Sequence, residues 1–156
     1  MDKIKFLSRS LLIVNILLIT ALVAQIIIFV ISGLIDPGVV EDKMFGIFHH
    51  LIQAIQVFLL LIGLWNVQQG LQRMVRSGLY NIDTQKKSRK GGTLLILFGM
   101  VSIILNLIRI SETNLSDLVG HLVQNVFTGL VGIGLLVFSE FVKNGIVLKE
   151  DVDLTI

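Results

Sequence analysis

Four long apolar runs organise the chain, at residues 11–35, 45–67, 93–110 and 118–138, with polar stretches between them. The first is interrupted only by neutral polar residues such as Asn15 and Gln25 and stops at Asp36-Pro37-Gly38, where proline and glycine end a helix. None of the runs shows the period-two alternation of a half-buried strand or the single apolar face of a soluble helix, so their preferred solvent is hydrocarbon. Hydrocarbon then dictates the backbone. An unpaired peptide group there costs several kcal/mol, and only helices and closed barrels pair them all. The runs are too long and too evenly apolar for barrel strands. At about 1.5 Å of rise per residue each helix crosses a core about 30 Å thick, the third only with its flanks. The pattern predicts an all-α integral membrane four-helix bundle in a single domain, with a polar loop at residues 68–92 and a tail at residues 139–156.

Composition agrees with this. The 156 residues are 54% hydrophobic and 15% charged, against roughly 25% charged in a soluble domain. There is no cysteine, which excludes disulfides, thiolate metal sites and cysteine nucleophiles. Charge placement orients the spans. All thirteen Lys and Arg residues except Lys43 and Arg109 fall before the first run, between the second and third, or after the fourth. By the positive-inside rule this side is cytoplasmic, with both termini on it. Lys3, Lys5 and Arg9 resemble the basic region of a signal peptide. The apolar run behind them exceeds a cleavable signal, so the segment reads as an uncleaved anchor. The other side carries Asp36, Glu41, Asp42, Glu112 and Asp117 in short, net acidic loops. The basic stretch at 68–92 has two readings: a topogenic loop facing lipid headgroups, or a docking surface for an acidic protein partner. Direct nucleic-acid binding is not expected, because no aromatic or glycine-rich binding pattern accompanies the charge.

Polar residues within the runs are the exceptions that carry information. Gly99, Ser102, Asn106, Arg109 and Thr113 recur at helical spacing on the third run. His121, Gln124, Asn125, Thr128, Gly132 and Ser139 do so on the fourth. Two such stripes should face each other as interhelical glue. The second run also contains His50 and Gln53 and the fourth His121 and Gln124, each pair three residues apart and near the outer end of its helix. This suggests a tandem repeat of two hairpins, with Asn15 and Asn106 as loose counterparts. With His49 and the acidic loops nearby, the candidate ligand-binding residues His50, Gln53, His121, Gln124 and Asn106 would form a pocket open to the outside. Three readings stand: structural hydrogen bonds, a ligand or proton-sensing site based on histidine, and a metal site. The last is disfavoured, because His49 and His50 lie about 100° apart on a helix and no His-x-x-x-His pair is present.

No serine elbow, phosphate-cradling loop or carboxylate pair deep in the membrane is present; Glu140 reads as an interfacial residue at the inner end of the fourth run. The chain is therefore not expected to be an enzyme, and no cofactor is implied. In the tail, Gly145 reads as a helix stop. The apolar alternation at Val152, Leu154 and Ile156 reads as a frayed terminus or as an edge strand added to a partner.

The ending from Gly145 to Ile156, with Leu148, Lys149, Glu150, Asp151, Asp153, Leu154, Thr155 and Ile156, follows a four-helix apolar body. In this it resembles the bacterial multi-pass membrane family known as domain of unknown function 2975 (DUF2975). Val152 stands where that pattern has a polar residue. The family's members are commonly encoded beside a small helix-turn-helix repressor. The resemblance thus implies a modulator of such a regulator, docking through Leu148, Lys149, Glu150, Asp153, Leu154 and Ile156 and the basic loop. The leading expectation is a regulatory or sensor protein of the bacterial inner membrane. The alternatives are a transporter or channel subunit, with a homo-oligomer enclosing more space, and an immunity protein against a membrane-active peptide.

Overall fold

The computed structural model of the chain describes residues 2–35, 43–108 and 115–153. Within them are four helices: α1 (Asp2–Ile35), α2 (Lys43–Ser77), α3 (Ile82–Ile108) and α4 (Leu115–Asp153). All four are long and apolar enough to cross a membrane. The fold is the all-α four-helix bundle of a multi-pass membrane protein, and large apolar side chains such as Ile28, Phe127 and Val137 cover its outside.

The helices extend well past the apolar runs. Basic residues change the solvent a helix prefers, not its backbone, so the stretch expected as a loop at 68–92 is the end of α2, a four-residue turn and the start of α3. Gly78 adopts the left-handed conformation (φ 87°) that closes α2, at a position where a side chain would be strained. Asn81 then caps α3: its Oδ1 accepts from the backbone N–H of Asp83 (2.7 Å) and of Thr84 (3.4 Å). The tail is likewise helical to Asp153, so Gly145 lies inside a helix and is not a stop. Leu154, Thr155 and Ile156 lie outside the described residues, as do Asp36, Glu41, Asp42, Arg109, Glu112 and Thr113.

Packing follows chain order. Among the described residues α2 meets α1 and α3, α3 meets α2 and α4, and no other pair of helices touches. The adjacent glycines of α3 explain how it serves two neighbours. Gly91 faces α2, where an added Cβ would lie 2.6 Å from the Val67 side chain and 3.1 Å from the Gly63 carbonyl oxygen. About 100° around the helix, Gly92 faces α4, where an added Cβ would lie 2.7 Å from the Gly132 carbonyl oxygen. Ser88, Leu95 and Ser102, seven residues apart, are buried along α3. On α4, Leu118, Asn125, Gly132 and Ser139 are buried at the same interval, the seven-residue spacing of left-handed helix packing. Of the expected small-polar stripes of α3 and α4, Gly99 meets Asn125, whereas Ser102 turns to Gln56 of α2 and Gly132 meets Gly92 and Ile96.

Candidate functional site

The helices carry a layer of amides toward the end remote from the α2–α3 turn. Gln25 Nε2 of α1 donates to Gln53 Oε1 of α2 (3.0 Å), and one turn along, Gln56 Nε2 donates to Ser102 Oγ of α3 (3.0 Å). A second pair lies toward the other end, where buried Asn15 Nδ2 donates to Gln68 Oε1 (2.9 Å). These bonds join α1 to α2 and α2 to α3 and place polar groups where lipid cannot solvate them.

The candidate ligand residues whose side chains are described do not converge within one chain. With α3 between them, α2 and α4 make no contact among the described residues, so the two His/Gln pairs have no shared wall. Gln53 turns to Gln25. His121 and Gln124 are exposed on α4, and Asn106 is half-buried on α3. His49 and His50 belong to α2, but their side chains lie outside the described residues. Nor do Asn15 and Asn106 occupy matching depths. Asn15 is level with Gln68, close to where Gly70 meets Ser88 at the start of α3, whereas Asn106 is near the end of α3. Among the described residues no three His, Asp or Glu side chains gather as a metal site would require.

The opposite end of the molecule holds a formed concavity. The α2–α3 turn packs on the last turns of α4, leaving an open groove of about 570 Å³ lined by Tyr80, Asn81, Ile82, Asp83, Ile146, Lys149 and Glu150. Tyr80 anchors it. The phenol ring lies so close to Gly145 that an added Cβ there would enter it. Its centroid is 6.4 Å from that of Phe141, with the rings tilted by 46°, within the range of favourable aromatic pairs. An ion pair between Arg73 and Asp83 (3.7 Å) closes the turn on the α2 side, and Lys143 pairs with Glu140 one turn before the groove (3.0 Å). Both pairs are exposed and contribute little to stability; they fix where charge is displayed.

Two of the candidate partner residues, Lys149 and Glu150, line this groove. Leu148 beside them is exposed. Asp153 ends α4, and Leu154 and Ile156 are outside the described residues. The other wall, Tyr80 to Asp83, was not singled out from sequence. The signal was present, because Gly78 followed by Leu79, Tyr80 and Asn81 is a helix stop, an aromatic and a helix cap in succession. No family model, curated protein or solved structure matches the chain.

Proposed function

We propose that this is a regulatory protein of the bacterial inner membrane that docks a cytoplasmic helix-turn-helix transcription regulator at the groove between Tyr80 and Glu150, with both termini in the cytoplasm. The observation that carries the reading is the continuation of α4 beyond its apolar run as a helix, packed on the α2–α3 turn to make a formed concavity at the strongly basic end of the molecule. A pocket with two apolar side chains on its lining and charges at its edge is the usual form of a site that receives one anchoring side chain and orients it. The helix-turn-helix identity of the partner rests on the resemblance of the tail to DUF2975. A regulatory role is favoured over a conduit because the described amide pairs within the bundle are spent on interhelical hydrogen bonds.

The test is site-specific photocrosslinking in native membranes, with the probe at Ile146 or Lys149 and, as a control, at Val131 on the lipid-facing side of α4. Recovery of a DNA-binding regulator from the groove positions alone, lost on Glu150→Lys, is the expected result. Crosslinks to lipid or to nothing at all three positions, with the chain correctly inserted, would overturn it.

A further inference from the structure

The α3 helix ends its apolar stretch in a cationic cluster whose placement points to a second ligand, independent of the groove. Lys86, Arg89 and Lys90 lie three and four residues apart on one exposed face. The same face continues into the membrane as exposed Leu97, Met100 and Ile104. It is the side of α3 opposite buried Ser88, Leu95 and Ser102, and so turns away from both neighbouring helices. Lys87 is excluded from it: half-buried, it lies against α2, its Cβ 3.4 Å from where a Gly70 side chain would begin.

Depth fixes what the cluster meets. The uncharged stretch between Lys90 and Arg109 is about 27 Å long as a helix, just under the roughly 30 Å of hydrocarbon. Lys90 and Arg89 are thereby held at the level of the lipid phosphates, with Lys86 one turn further out. Like charges at this spacing repel one another on an isolated helix, and among the described residues none of the three has an ion-pair partner. An anion between them relieves that repulsion, and one carrying an acyl chain also covers the apolar half of the face.

We propose that Lys86, Arg89 and Lys90 bind the phosphate headgroup of an anionic phospholipid whose acyl chain lies along Leu97, Met100 and Ile104. The probe is phosphatidylglycerol, titrated onto the full-length purified protein in detergent, with phosphatidylcholine as the zwitterionic comparison and native mass spectrometry counting retained lipid. Phosphatidylglycerol is expected to be retained preferentially. Affinity is expected to fall roughly fivefold for each charge removed and on the order of a hundredfold in K86Q/R89Q/K90Q. The swapped variant K86R/R89K/K90R should bind as the native chain does, and K143Q, which removes a cation paired on α4, should change nothing. Should the triple variant fail to fold, K90Q alone decides by the same readout. Equal retention of the two lipids, or undiminished phosphatidylglycerol binding by K90Q and the triple variant, overturns the proposal. Displacement of the lipid by soluble glycerol phosphate at equal concentration would also overturn it, by showing a site for free phosphate.

Discussion

The α1–α2 and α3–α4 contacts solve one problem, holding two helices together in lipid, by opposite means. Between α1 and α2 there are widely separated amide bonds, Gln25 to Gln53 and Asn15 to Gln68. Between α3 and α4 there is close backbone approach at Gly92, Gly99 and Gly132, and the contact is the most extensive among the described residues. Lipid offers no hydrophobic drive for helices to associate, so packing and hydrogen bonds are what remain. Packing improves with every small residue added to an interface. A hydrogen bond works only at the one depth where both partners sit, and it brings its own liabilities. Asn15 shows this: it is buried, and its Oδ1 accepts no hydrogen bond among the described residues. Among the described residues the α3–α4 contact is therefore the tighter of the two.

The sharpest way to break the contrast is to put a side chain into the close approach. Gly92→Leu forces its Cβ against the Gly132 carbonyl and is expected to destabilise the protein by about 3 kcal/mol, the upper end of ordinary overpacking. Gly134→Leu, where an added Cβ meets nothing within 4 Å, should leave stability unchanged. Thermal unfolding in detergent distinguishes the two, and equal behaviour would refute the assignment of the tight interface.

A smaller effect of about 1.5 kcal/mol is expected for Gly145→Ala. On propensity alone alanine would stabilise this helical position by about 1 kcal/mol, but here its methyl group meets the Tyr80 ring. In the Tyr80→Ala background the same substitution should become neutral or stabilising. If Gly145→Ala stabilises the native chain, the ring does not rest on α4.

Next in size comes the amide pair. Asn15→Leu strands the Gln68 side chain and is expected to cost about 1 kcal/mol, whereas replacing both residues with leucine should cost almost nothing, because no buried polar group is left unpaired. A double-mutant cycle gives the coupling directly, and additive losses would mean that the bond contributes nothing. Smallest of all is Arg73→Gln, which opens an exposed ion pair and should shift stability by less than about 0.5 kcal/mol. A larger loss in a denaturation curve would show that the turn depends on that pair.

How far these features were legible in sequence depends on what each requires. The four spans and the meeting of Gly99 with Asn125 could be read directly, because lipid admits few ways of satisfying a backbone or a polar stripe. Helix ends were misjudged where charge was taken for loop. Lys86, Lys87, Arg89 and Lys90 are all good helix formers, and only Gly78 and Asn81 break the backbone between α2 and α3. Gly145 misled for a different reason: the glycine makes room for a ring 65 residues earlier in the chain, which local pattern does not reveal. The His/Gln pairs turn on helix order. Which helix stands between which is a tertiary fact, and α3 separates pairs that a symmetric repeat would have joined.

The uninterrupted course of α4 gives the molecule a lever. His121 and Glu150 sit on one helix with no turn or proline between them, on the order of 43 Å apart. A tilt of about 5° pivoting near His121 would therefore carry Glu150 sideways by roughly 4 Å, comparable to the step between neighbouring residues. Because α3 is held to this same rod at Gly92 and Gly132, and the turn bearing Tyr80 opens α3, both walls of the groove would be carried together.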